Sequence, residues 1–97
     1  MLISILRGHL AQEHWTRLQG HYEKLVHSLP EGLLQTYLVQ NSEQPTLWEI
    51  LMIWQSEEAY ESGRAQKKTE ACELLFCDAG DVPDLQTFRV RKGHQQL

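Results

Sequence analysis

His14, His21 and His27 lie on one stretch of chain, and an imidazole is the side-chain type best suited to act as a general base. His21 is the candidate base, because it sits beside Tyr22 and three residues after Leu18, at the border of an apolar helical stripe, and a solvated or structural role competes with that one. Shared metal binding by these histidines is excluded by length. A helix separates His14 from His21 by about 10.5 Å, and His21 from His27 by about 9 Å and ~120° of rotation, whereas zinc nitrogens lie ~2 Å from their ion. No other cluster has ligand spacing, so no metal is expected. Trp15, Tyr37, Trp48, Trp54 and Tyr60 are rings on which a flat ligand would stack. Arg7 and Arg64 keep their charge at any working pH and suit an anion such as a phenolate. Core packing competes with these roles for the aromatics, and surface ion pairing for the arginines. Nucleophile motifs, glycine-rich phosphate loops and dinucleotide fingerprints are missing, so acyl transfer, phosphoryl transfer and flavin binding through such motifs have no support.

These side chains must be positioned by few elements. Strand one is expected from Leu2 to Arg7, with Gly8 ending it. A helix follows from Gln12 to Ser28, because Trp15, Leu18, Tyr22, Leu25, Val26 and Leu29 recur at helical spacing, and Pro30 and Gly32 stop it. Leu33 to Gln40 and Leu47 to Trp54 read as strands joined by the polar turn Asn41 to Thr46, a hairpin. Ser56 is suited to cap a helix whose first turn holds Glu57 and Glu58. Gly63 is expected to divide that helix from a longer one, Arg64 to Phe76, with Ala65, Thr69, Cys72, Leu75 and Phe76 facing inward. A last strand runs from Leu85 to Arg91. The order is βαββαβ, an α+β ferredoxin-like unit with a four-stranded antiparallel sheet. It forms one domain over residues 1–92, followed by a short flexible tail, 93–97.

From Leu47 to Trp54 only Glu49 is polar, so both faces of that strand are apolar. Leaving three or four such side chains exposed would forfeit roughly 5–12 kcal/mol, against a domain stability of about 5–15 kcal/mol. A chain of 97 residues cannot easily cover both faces with its own helices, so a homodimer is expected.

The net charge of −4, from 13 acidic and 9 basic residues, argues against nucleic acid and anionic lipid as partners. No apolar run approaches the ~20 residues of a membrane span, and the opening MLISIL reads as a strand and not as a signal peptide. Cys72 and Cys77 are too far apart on a helix for a disulfide, which fits a reducing, cytoplasmic setting.

The run from Trp48 to Tyr60, an apolar strand closing in Trp54-Gln55-Ser56, then Glu57 and Glu58, then Ala59-Tyr60, resembles the antibiotic biosynthesis monooxygenase (ABM) family, and the likeness extends over residues 1 to 91. The resemblance implies a dimeric α/β barrel in which two sheets face each other, and a ligand cavity between sheet and helices in each subunit. It implies no cofactor: members include cofactor-independent monooxygenases of phenols and quinols as well as haem-degrading enzymes. The haem branch needs an Asn near the end of strand one and a later Trp and axial His, whereas this chain has Arg7 and Gly8, no Trp after Trp54, and no His between His27 and His94. The phenol-oxidising branch surrounds its substrate with Asn, Trp, Tyr and Arg, and Asn41 here sits in the hairpin turn. His21, Tyr60 and Arg64 are then the candidate catalytic groups, and Trp15, Tyr37, Trp48 and Trp54 the candidate walls for a small aromatic ligand. A non-catalytic dimer of the same fold, binding a small molecule or serving a structural role, is the alternative.

Overall fold

The chain runs β1 (Leu2–His9), a 3-10 turn (Gln12–His14), α1 (Trp15–Leu25), β2 (Leu33–Gln40), β3 (Leu47–Trp54), α2 (Glu57–Ala65) and β4 (Asp84–Arg89) in a computed structural model that describes residues 1–66, 76–77 and 81–96. The strands form one antiparallel sheet of order β2-β3-β1-β4. This is the ferredoxin-like α+β arrangement that the element order predicts.

Strand alternation sorts the side chains into two faces. On the inner face Leu2 stands opposite Trp54, Ser4 opposite Met52, Leu6 opposite Ile50 and Gly8 opposite Trp48. These β1 and β3 residues are all buried, and α1 closes over the sheet with Leu18 and Leu25. On the outer face Ile3 pairs with Ile53 and Ile5 with Leu51, while Arg7 pairs with Glu49 through an ion pair of 2.6 Å.

Several boundaries depart from the sequence expectation. β1 continues through Gly8 to His9, because Gly8 lies on the inner face, where a Cβ would collide with the ring of Phe76. α1 is shorter than Gln12–Ser28. It opens with the 3-10 turn and ends at Leu25, leaving Val26 and Leu29 40% and 37% exposed. The chain must leave the helical region before Pro30, and these two apolar residues fall on the turn that does so. Gly63 does not divide two helices. It is buried inside α2, where a side chain would put its Cβ 2.6 Å from the Trp54 ring, so the glycine allows a close approach. Ala65 ends α2 exposed instead of facing inward, and β4 runs from Asp84 to Arg89 instead of Leu85 to Arg91. Phe76 is fully buried as expected; Thr69, Cys72 and Leu75 lie outside the described residues.

β2 keeps its predicted bounds but carries a bulge. Leu33 pairs with Trp54 and Gln35 with Ile53, so Leu34 is an extra residue, and the alternation slips by one. Thr36 and Leu38 consequently share the inner face with Met52 and Ile50, while Tyr37 and Val39 turn outward.

Candidate functional site

The site is assembled where β3 passes into α2. Trp54 is the last residue of β3 and is 1% exposed. Two residues on, the Ser56 hydroxyl accepts the Ala59 amide at 3.1 Å and starts α2, with Glu57 and Glu58 at the positive end of the helix dipole. The first turn of the helix brings Tyr60 back over Trp54, the rings meeting edge to face at 5.7 Å and 78°. One further turn sets the Arg64 guanidinium 5.9 Å from the Tyr60 ring centre, within cation–π range. Gly63, without a side chain, lets this turn lie directly on the indole.

From the neighbouring strand, Ser4 completes the group. Trp54 Nε1 donates to Ser4 Oγ at 3.0 Å, and Ser4 is 3% exposed. A cavity lies among these residues, walled by Leu6, Ile50, Met52 and Leu85 with Ser4, Trp54, Tyr60 and Arg64. The centre of a water-sized sphere has about 20 Å³ to move in there, room for little more than one water. The lining is mostly apolar, with a hydroxyl, a phenol and a guanidinium as its polar groups. Among the described lining residues no carboxylate or imidazole is present.

The structure therefore gathers Trp54, Tyr60 and Arg64 and leaves the other predicted residues elsewhere. His21 is half-buried on α1 and does not line the cavity. Trp15 and Trp48 form a separate edge-to-face pair at 5.7 Å, with Trp15 Nε1 donating to the Leu10 carbonyl at 2.8 Å. The buried Trp48 Nε1 has no partner among the described residues. Tyr37 stands on the opposite face of the sheet, 51% exposed, its hydroxyl donating to Gln35 Oε1 at 3.2 Å. Ser4 was missed. The signal for it is the single hydroxyl in Leu2-Ile3-Ser4-Ile5-Leu6, on the face it shares with Leu2 and Leu6.

Among the described residues no group of three or more His, Cys, Asp or Glu side chains is placed to hold a metal ion, and no helix is long and apolar enough to cross a membrane.

No family model matches the sequence, and no curated protein matches it. Solved structures do match. A candidate antibiotic biosynthesis monooxygenase from Deinococcus radiodurans superposes with a TM-score of 0.78 at 19% identity, over 100% of this chain and 99% of the other. A conserved protein from Methanosarcina mazei gives 0.78 at 14% identity over 92% of each chain. A variant of SnoaB, a cofactor-independent oxygenase from Streptomyces nogalater, gives 0.74 at 10% identity over 98% of this chain and 97% of the other. The likeness runs almost end to end at low identity, so what it establishes is the fold: this chain is folded as proteins named antibiotic biosynthesis monooxygenases are.

Proposed function

We propose that this chain is an ABM-like protein that takes a small phenol or quinol into the cavity between the sheet and α2 and oxidises it with dioxygen, without a cofactor. The observation that carries this reading is the convergence of Trp54, Tyr60 and Arg64 on one mostly apolar cavity. Conversion of a phenol and dioxygen to a quinone and water balances without an external reductant, since the substrate supplies the electrons. The protein then has to orient the ring, exclude water and favour the phenolate, which is the electron-rich form. Trp54 and Tyr60 supply ring faces and edges, and the Arg64 guanidinium favours an anionic oxygen nearby. His21 stands outside the lining, and the described lining residues include no carboxylate or imidazole, so the substrate has to enter as its phenolate.

The size of the cavity sharpens the substrate class. A single ring fits only if flexible wall residues turn aside, and Met52, unbranched with several rotatable bonds, is the wall best able to do so. Polycyclic substrates are disfavoured. The same closeness favours the second reading, a binding or structural protein of this fold without turnover.

The outer face of the sheet supports a homodimer. Tyr37, Val39 and Phe88 are 51%, 40% and 48% exposed there, beside the half-buried Ile3, Ile5, Leu51 and Ile53. Light scattering at micromolar concentration is expected to give twice the 11.3 kDa chain mass, and a monomer would remove the dimer from this proposal. An exposed, free Cys77 supports a cytoplasmic setting.

The catalytic reading is tested by oxygen uptake and product analysis with monocyclic phenols and quinols. Turnover that falls at least tenfold in Tyr60→Phe and Arg64→Ala, with unchanged melting temperatures, supports oxygenation. Ligand binding without turnover by the native protein would leave the second reading.

A further inference from the structure

Ser4 is the one buried polar side chain among the described core residues, and its position in β1 fixes it against the cavity wall. A serine hydroxyl has one hydrogen to donate and two lone pairs to accept with. One lone pair takes the Trp54 Nε1 hydrogen at 3.0 Å, and the hydroxyl hydrogen itself meets no acceptor among the described residues. A buried donor left unused costs about 1–3 kcal/mol, so its retention in an otherwise apolar row calls for a partner. The acceptance from Trp54 polarises the hydroxyl and makes it a better donor, because hydrogen bonds in a chain strengthen one another. The inner-face neighbours of Ser4 on the adjoining strands are Met52 on β3 and Thr87 on β4.

We propose that the Ser4 hydroxyl is the ligand-orienting donor of this site, binding the oxygen of a single-ring phenolate whose ring lies against Trp54 and Tyr60. This rests on the reading of the cavity as a phenol site and adds to it the group that reads the oxygen. Trp54 then acts through Ser4 as a positioning residue, holding the hydroxyl in one orientation, and the neutral donor lowers the pKa of the bound phenol by favouring its anion. The preference is for a ring with an ionisable hydroxyl over the same ring without one.

The test uses 4-nitrophenol, whose phenolate is coloured, and nitrobenzene, which keeps the ring and nitro group but lacks the hydroxyl. Each is titrated into the native protein, Ser4→Ala and Ser4→Cys, with thermal melts to confirm folding. The native protein is expected to bind 4-nitrophenol with a bound pKa below that of the free probe. Ser4→Ala is expected to weaken the phenolate about tenfold or more, the scale of a hydrogen bond to a charged group, and to return the bound pKa toward the free value. Nitrobenzene affinity should not change. Ser4→Cys, similar in size but a weak donor, should fall between the two. If Ser4→Ala changes both probes equally, or neither, the assignment of Ser4 is overturned while the phenol site stands. If neither probe binds the native protein, the phenol site fails and the assignment with it.

Discussion

The two faces of β3 alternate residue by residue along one strand and meet different fates. Trp48, Ile50, Met52 and Trp54 face the helices and are at most 6% exposed, whereas Leu47, Glu49, Leu51 and Ile53 on the other side are only partly covered. The local sequence is apolar on both sides, so hydrophobicity alone does not separate them. What separates them is the helical layer, which a chain of this length supplies once. The inner face gains its specificity from shape and hydrogen bonding: a glycine that admits the Trp54 ring, a serine that takes its N–H, a tyrosine set on its edge. The outer face has broad apolar area and the Arg7–Glu49 ion pair, which suits association better than recognition of a small molecule.

The comparison can be broken most forcefully at Trp54. Trp54→Ala is expected to cost about 3–5 kcal/mol in urea unfolding, compared with the native protein at equal concentration, because the lost contacts lie within one chain. A change on the outer face should behave otherwise. If the proposed dimer forms through the outer face, Ile53→Lys is expected to give a folded monomer by light scattering and a melting temperature independent of protein concentration. If Ile53→Lys unfolds the chain as badly as Trp54→Ala, the faces are equivalent and the outer one is part of the intrachain core. The smallest effect should come from Arg7→Ala. Its partner Glu49 is within 2.6 Å, but the arginine side chain is 48% exposed, so a loss of about 0.2–1 kcal/mol, reduced by salt, is expected from thermal melts.

The four strands, the βαββαβ class and the capped start of α2 were legible because each rests on local patterns: apolar runs in β1 and β3, turn residues in the hairpin, and Ser56 ahead of two acids. Trp54, Tyr60 and Arg64 were legible only as separate candidates among seven; a strand end, a cap and two helical turns within a short span are what group them in the structure. Ser4 was harder. Its partner is fifty residues away in sequence, and only the strand register reveals that its hydroxyl meets an indole N–H. Tyr37 shows the opposite failure. Counting by twos from the buried Leu33 places Tyr37 on the inner face, and the inserted Leu34 sends it to the outer one. His21 illustrates a third limit, because helical periodicity places a residue at the border of a stripe without saying which cavity that border adjoins.

The Leu34 insertion also bears on how these molecules avoid aggregating. β2 is an outermost strand of the sheet, and a regular outermost strand offers its unused backbone groups to any other extended chain. An extra residue near the start of the strand breaks the even spacing of those groups there and increases the local twist, so a second strand could not continue the ladder past that point. The polar Gln35 and Gln40 further interrupt the apolar character of that strand. Growth by adding strand to strand, the route to fibrils, is thus discouraged at this border of the protein.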